Sequence, residues 1–125
     1  MGNISTDNFA DAINDELKLF EKSVLKGINE SAQKAAKEAV KNLKQNSPKR
    51  SGKYASSWRS KKEMQSLGEE VYTVYNKDHY RLTHLLENGH INKRTGTRTK
   101  AVSHIAPAEQ AAVDEFLKGL ENLKL

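Results

Sequence analysis

Residues 9–43 read FADAINDELKLFEKSVLKGINESAQKAAKEAVKNL, and their apolar residues recur at steps of three and four. This spacing places one apolar stripe along a helix. A single long helix is therefore predicted over residues 7–44, with two shorter helices on one core as the alternative. Ser5 and Thr6 are candidate N-caps, and Ser47-Pro48 ends the helix because the residue before proline disfavours helical geometry. The stripe consists of Phe9, Ile13, Leu17, Phe20, Val24, Ile28, Ala32, Ala35, Ala39 and Leu43.

The stripe drifts around the helix, because its mean step of about 3.8 residues exceeds the 3.6 of an ideal helix. A drifting stripe can contact more than one partner. Its first half carries large side chains, whereas its second half is mostly alanine. Small side chains allow close approach, so the second half is predicted to lie tight against a sheet or another helix.

Downstream of the long helix, the pattern predicts an antiparallel hairpin. PKRSG at 48–52 is typical of a turn, and Gly52 is predicted to adopt a positive φ. Residues 54–62 are predicted to be extended, with Tyr54, Ser56 and Trp58 on one face. A reversal at 67–68 leads into a strand over residues 70–75, where β-branched and aromatic side chains alternate.

The remaining chain predicts two helices separated by a polar segment. Asp78 is a candidate cap for a short helix ended by Asn88-Gly89. Residues 90–103 are predicted to form a mobile basic loop, with a further strand pair around Gly96 as the alternative. Pro107 suits the first turn of a last helix, since the N–H that proline lacks would be unpaired there. Its apolar face comprises Ala112, Val113, Phe116, Leu117 and Leu120.

The composition predicts one small domain spanning residues 1–125, with a flexible N-terminus over residues 1–6. Only 36% of the 125 residues are hydrophobic and the mean hydropathy is −0.80, so the core is expected to be lean. The absence of cysteine excludes disulfides and thiolate metal sites. Neither a secretory signal nor an apolar run of about 18 residues is found, so no membrane span is expected.

The net charge of +5 is concentrated in two segments without acids. Residues 44–62 contain seven basic side chains and residues 88–108 contain four. Such patches attract polyanions or acidic protein surfaces, although a solvated face is the alternative. The predicted contact residues for a partner or DNA are Lys49, Arg50, Lys53, Lys93, Arg94, Arg98 and Lys100.

The titratable residues predict no catalytic residue, metal site or cofactor. His79 and His84 are five apart, which defeats the i, i+4 zinc pattern on a helix. His84 and Glu87 can share a face, while His90 and His104 flank the basic segment. No phosphate-binding or nucleophile motif is present. The histidines are therefore interpreted as surface and helix-end residues, and the protein as not an enzyme.

Aromatic residues that alternate with lysine and arginine suggest a second interpretation of the first basic segment. Tyr54 and Trp58 are interleaved with Lys53 and Arg59, an arrangement that can stack nucleic-acid bases. A tryptophan on an alternating strand is more often a core residue, and the core is the preferred interpretation.

Three segments resemble, in this order, the bacteriophage HK97 gp10-like family. SPKRSGKY at 47–54 is similar to a Pro-x-x-Thr/Ser-Gly-x-Leu turn. YRLTHLLENGH at 80–90 is similar to a Tyr-Ala-x-x-Leu/Val-Glu-x-Gly-Thr/His segment, and HIAPA at 104–108 to a His-Pro-x-x-Arg-Pro-Ala helix entry. Tyr54 replaces the usual aliphatic residue and Ala106 the usual arginine. The residues to which these motifs assign a structural role are Pro48, Gly52, Trp58, Tyr80, Glu87, Gly89, His104 and Pro107.

The resemblance runs from residue 9 to 123 and implies an α+β fold: a long N-terminal helix, a small antiparallel β-sheet, a short helix and a C-terminal helix packed on the sheet. It implies a structural virion protein of a tailed bacteriophage or prophage, made in the host cytoplasm and located at the head–tail junction. Its implied role is head–tail joining or tail completion as a ring-forming neck subunit.

The implied partners are further copies of the chain and other neck proteins, on the adaptor or stopper side and on the tail-tube or terminator side. Non-specific contact with channel DNA is also implied. The alternative hypothesis is a non-enzymatic nucleic-acid-binding module that uses its basic loops.

Overall fold

The computed structural model describes residues 6–123, and its first element is the helix α1 (Thr6–Asn46). Its 41 residues span about 60 Å at 1.5 Å per residue. The prediction of one long helix is confirmed over the alternative of two. The backbone N–H of Ser47 donates to the carbonyl of Leu43 at 3.0 Å, and the chain turns at Pro48 as predicted. Residues 1–5 of the predicted flexible N-terminus, including the candidate cap Ser5, lie outside the described residues.

The turn at 48–52 leads into a single helical turn, α2 (Lys53–Ser56), and not directly into a strand. Gly52 has φ 80°, which confirms its predicted positive φ. The extension predicted from residue 54 is wrong for its first part, because Ser57 donates its hydroxyl to the Lys53 carbonyl at 2.6 Å and closes the turn. Tyr54 and Trp58 are buried one helical turn apart, while Ser56 faces solvent.

A two-stranded antiparallel sheet follows, formed by β1 (Trp58–Met64) and β2 (Glu70–Asn76). Trp58 pairs with Asn76 at one end and Met64 with Glu70 at the other. Asn29 of α1 fastens the tip of this hairpin. Its side-chain Nδ2 donates to the Gly68 carbonyl at 3.1 Å, and its Oδ1 accepts from the Glu70 N–H at 3.0 Å. The hairpin therefore lies along α1.

The connection to the last helix contains a 3₁₀ turn (Tyr80–Leu82) and α3 (Thr83–Asn88). Asp78 does not cap this segment, because its carboxylate accepts from the Ser57 hydroxyl at 3.2 Å. Asn76 takes over that role, since its Oδ1 accepts from the backbone N–H of His79 at 2.9 Å. The predicted helix end at Asn88-Gly89 is confirmed.

The last helix, α4 (Ile105–Glu121), runs antiparallel to α1, with Pro107 in its first turn. Gly119 faces Ser31 so closely that a Cβ there would require Ser31 to shift, and a Cβ at Gly27 would displace the end of the Leu123 side chain. The first turn of α4 also reaches the end of the sheet in the core, and most of the helix follows α1. The core joins Leu43, Tyr54, Trp58 and Ala108 with the partly buried Val40, Val74, Leu86 and Ile105.

The two halves of α1 differ in environment. Ala35, Ala36 and Ala39 are buried, which confirms the predicted tight packing of the alanine-rich half. Residues 8–23, hereafter the arm, are all exposed, because the hairpin tip meets α1 near Leu25 and α4 ends near Gly27. No helix described within residues 6–123 is long and apolar enough to cross a membrane.

Candidate interaction surfaces

A buried hydrogen-bond network joins α2 to the start of α4. The Tyr54 hydroxyl lies 2.7 Å from Nε2 of His104. Nδ1 of His104 lies 2.7 Å from the Val102 carbonyl and 3.1 Å from Oε1 of Glu87, both of which are acceptors. In the neutral imidazole Nδ1 therefore carries the proton, which leaves Nε2 to accept from the Tyr54 hydroxyl. Burial and the nearby Glu87 carboxylate raise the pKa of Tyr54 to about 12, so the hydroxyl keeps its proton.

Glu87 caps the N-terminus of α4 from a distance in sequence. Its carboxylate accepts from the backbone N–H groups of His104, Ile105 and Ala106 at 2.7, 2.8 and 3.0 Å. The Ser103 hydroxyl adds a bond of 3.2 Å. Burial, the largest single influence, raises the pKa of Glu87, but these four hydrogen bonds together outweigh it and lower that pKa to about 2. The ionised carboxylate also suits the positive end of the helix dipole.

This network is structural in character. The imidazole of His104 is fully buried and both of its ring nitrogens are already hydrogen-bonded, so it offers no free ligand position. The interpretation of His104 as a surface residue is therefore wrong, although it does stand at a helix end. The suggested face shared by His84 and Glu87 is not used, since Glu87 turns to α4. Over residues 6–123, no group of three or more His, Cys, Asp or Glu could hold a metal ion.

The aromatic residues of the first basic segment belong to the core. Trp58 is 4% exposed, and its Nε1 donates to the Ser47 hydroxyl at 2.8 Å. Tyr54 meets the Trp58 ring edge-on, with centroids 5.7 Å apart. The preferred core interpretation is thus confirmed, and neither ring can stack a base. Of the other motif positions, Tyr80 is exposed and Gly89 has φ 73°.

The basic segment between α3 and α4 forms a small hairpin, hereafter the basic hairpin (residues 90–100). Ile91 and Arg98 form an antiparallel bridge, and Asn92 donates its N–H to the Thr97 carbonyl at 2.8 Å. Gly96 closes the tip with φ 69°. The segment is therefore a turn closed by one bridge, with no further strand among the described residues, and its mobility stays a prediction.

The four cations of the basic hairpin divide into two kinds. Arg98 donates from Nη2 to the Asn88 carbonyl at 3.0 Å and so ties the hairpin to the end of α3. Lys93, Arg94 and Lys100 are exposed, and within residues 6–123 their side chains form no hydrogen bond or ion pair. These three are available to a partner.

The second predicted basic group lies around the turn at 48–52. Lys49 donates from Nζ to the Gln45 carbonyl at 2.6 Å, at the end of α1. Arg50 and Lys53 are exposed. Lys53 immediately precedes Tyr54, whose hydroxyl meets His104 just beyond the basic hairpin. Tyr54 thus links the chain after the first basic segment's turn to His104, but within residues 6–123 no hydrogen bond or ion pair joins Lys49, Arg50 or Lys53 to the basic hairpin.

A third candidate surface is the first half of the α1 stripe, on the arm. The sequence predicts the stripe but not that this half is exposed. Phe9, Ile13, Leu17 and Phe20 are 59, 45, 52 and 51% exposed. The periodicity predicts the stripe, but it does not indicate which part of the stripe packs against other elements of this chain. The large apolar side chains in the first half of the stripe were the sequence feature that could have indicated this surface.

Comparison with known proteins supplies the family. Residues 11–89 match the family model HK97-gp10_like, described as "Bacteriophage HK97-gp10, putative tail-component". The match covers the turn at 48–52 and the segment from Tyr80 to Gly89, but not the third similar segment at 104–108. No curated protein and no solved structure matches the chain significantly. With well over half of its length matched, and with the α+β fold implied by the resemblance, the chain belongs to the HK97-gp10-like family of bacteriophage proteins.

Proposed function

We propose that the protein is a non-enzymatic structural subunit of the virion that acts in head–tail joining or tail completion. It would sit at the head–tail junction as one subunit of a ring. Membership of a phage tail-component family supports the general role. The partners are neighbouring copies and neck proteins above and below the ring.

The observation that carries this proposal is the basic hairpin. Its base is fixed by Arg98 and by the Glu87 cap on α4, so a defined scaffold presents Lys93, Arg94 and Lys100. A cation without an internal partner contributes little to folding, whereas it can bind an acidic surface without giving up an internal contact. In a ring, every subunit would add these cations at one level.

The test is a phage or prophage carrying Lys93→Gln, Arg94→Gln and Lys100→Gln together, with Arg98 retained. We expect a folded protein and separate filled heads and free tails, counted by electron microscopy. A matched control replaces the exposed Lys34, Lys37 and Lys41 of α1 with glutamine, which removes the same charge outside the basic hairpin and the arm and should leave joining intact. Normal joining by the hairpin variant would show that these cations only solubilise the protein.

A nucleic-acid-binding module is the second candidate, and one surface of the sheet favours it. Tyr75 is exposed on the outer face of β2, opposite Arg59 in the register. Nζ of Lys61 lies 6.0 Å from the Tyr75 ring centroid. An aromatic ring between cations can stack an unpaired base and hold its phosphates.

Fluorescence anisotropy with single-stranded and duplex DNA across salt concentrations separates the two candidates. DNA binding that weakens steeply with salt and is lost on Tyr75→Ala would support the module. For the structural subunit we expect at most weak binding that Tyr75→Ala does not change.

A further inference from the structure

The basic hairpin combines free cations with an exposed apolar side chain. Lys93, Arg94 and Lys100 have no side-chain partner among the described residues. Ile91, at the bridge of the same hairpin, is 62% exposed. Residues 88–108 contain four bases and no acid. The hairpin therefore presents an apolar side chain among positive charges.

The outer side of α4 has the opposite charge around a similar apolar centre. Val113 and Leu117, one turn apart, are 44 and 50% exposed. Asp114 and Glu121 are also exposed, and all four residues fall within about 100° of the helix circumference and about 12 Å of its length. The whole of α4 contains four acids and one base, a net charge of −3. These four residues, hereafter the α4 face, form an apolar pair edged by carboxylates.

The two surfaces do not meet within one chain. The hairpin precedes α4, whereas Val113 lies eight residues, about 12 Å, beyond the first residue of that helix. Among residues 6–123, no ion pair or hydrogen bond joins a cation of the hairpin to Asp114 or Glu121. The contact of Asp114 is to the side chain of Gln110, at 2.9 Å. Hairpin and α4 face are therefore both open to a second copy.

The first basic segment is a poorer match for the α4 face. Its cations Arg50 and Lys53 are exposed as well. Its large apolar residues Tyr54 and Trp58 are buried in the core, so these cations have no exposed apolar side chain of their segment beside them. Of the two basic segments, the hairpin is the one that offers both charge and apolar contact.

We infer that the basic hairpin of one copy docks on the α4 face of a second copy, with Ile91 against Val113 and Leu117. The free cations then lie beside Asp114 and Glu121, and this complementarity fixes the orientation of the contact. The inference rests on the proposed ring-forming role and names the surfaces that join the subunits. Because the two surfaces differ, the contact is heterologous, and its repetition closes into a ring where the rotation allows it.

The test reverses the charge of each surface in the full chain. The reversed hairpin carries Lys93→Glu and Arg94→Glu, and the reversed α4 face carries Asp114→Lys and Glu121→Lys. A matched control carries Lys37→Glu and Lys41→Glu, which change the charge of exposed α1 residues as much as the reversed hairpin does. Light scattering and sedimentation velocity give the masses, and circular dichroism confirms folding.

We expect the wild-type protein and the control to self-associate, and salt to weaken that association. Each reversed variant alone should associate at least about 10-fold more weakly, towards the 14.0 kDa monomer. A mixture of the two should associate again, because every hairpin then meets an α4 face of opposite charge on the other variant. Ile91→Ser, which keeps the charge, should also weaken association, since it removes the apolar part of the contact.

Three outcomes would overturn the inference. Reversed variants that associate like the wild type would show that copies meet through another surface, and a mixture that stays monomeric would show that hairpin and α4 face are not each other's partners. A wild-type chain that stays monomeric at low salt across the whole concentration range would show that the hairpin does not dock on a second copy. Duplex DNA binding that the reversed hairpin loses would then identify nucleic acid as the partner of the hairpin.

The inference and the proposed function fail separately. If the wild-type chain stays monomeric but the glutamine triple variant of the hairpin still blocks head–tail joining, the proposed function stands while this inference fails. If the contact between copies is found but that triple variant joins heads and tails normally, the reverse holds.

Discussion

The carboxylate of Glu87 holds His104 at two points, accepting its backbone N–H at 2.7 Å while Oε1 lies 3.1 Å from its ring Nδ1. The same His104 ring meets the Tyr54 hydroxyl on its other side. Three elements distant in sequence, α2, α3 and α4, are therefore joined through one buried imidazole. Because the basic hairpin begins and ends beside this junction, the stability of the junction determines how firmly the hairpin is presented.

The free energy of unfolding should depend on pH through the titration of Glu87. Its pKa of about 2 in the folded protein lies below its ordinary value of 4.5. As the pH falls, the unfolded chain binds this proton first, so the stabilisation present above about pH 4.5 is lost towards pH 2. In urea unfolding, the stability advantage of the wild type over Glu87→Gln should shrink by about 2 kcal/mol between pH 7 and pH 3.

Glu109→Gln is the matched control for this measurement. Glu109 is exposed on α4, and its substitution should leave the stability at pH 7 close to that of the wild type. Parallel profiles for the wild type and Glu87→Gln would contradict the assignment of Glu87 as an ionised cap.

Removing the Tyr54 hydroxyl should destabilise the protein without changing its shape. Tyr54→Phe leaves Nε2 of His104 buried without its hydrogen-bond donor, which costs about 1–3 kcal/mol. Tyr75→Phe removes a hydroxyl from the exposed outer face of the sheet and should cost close to nothing. Equal melting temperatures for the two variants would show that the Tyr54–His104 bond contributes nothing.

Two glycines with positive φ should differ in their tolerance of alanine. Gly52 has φ 80° and ψ −14°, and a Cβ built there meets nothing within 4 Å, so Gly52→Ala should cost about 1 kcal/mol. Gly89 has φ 73° and ψ 169°, a region almost restricted to glycine, and its Cβ would lie 2.6 Å from the Thr99 carbonyl oxygen. Gly89→Ala should therefore cost about 3 kcal/mol by urea unfolding. Equal costs would show that the chain around Gly89 yields freely.

Local patterns account for what the sequence could predict. The stripe of α1, the alternation of β2 and the positive φ of Gly52 each depend on a few neighbouring residues. The turn α2 was predicted as a strand because Tyr54 and Trp58, four apart, fit both an alternating strand and one helical turn. Only the hydrogen bonds of Ser57 and the ring contact decide between the two.

Long-range contacts account for the rest. Glu87 and the N–H of Ile105 are 18 residues apart, and no pattern within either segment pairs them. A buried histidine also looks like an exposed one in sequence, so the role of His104 became visible only through its neighbours Tyr54 and Glu87. The tyrosine that departs from the family's aliphatic residue at 54 supplies the hydroxyl for this contact.

The last prediction separates the structural cation of the basic hairpin from the three free ones. Arg98→Gln removes the bond to the Asn88 carbonyl, so the hairpin should open more often. Amide exchange of Asn92, whose N–H bonds the Thr97 carbonyl across the hairpin, should accelerate about 3- to 10-fold, as expected for one hydrogen bond of about 0.5–1.5 kcal/mol. The triple variant of Lys93, Arg94 and Lys100 should leave that exchange unchanged while abolishing joining. If the free protein already exchanges Asn92 without protection, the hairpin is mobile, as the sequence predicted, and Arg98→Gln will have no protection to remove.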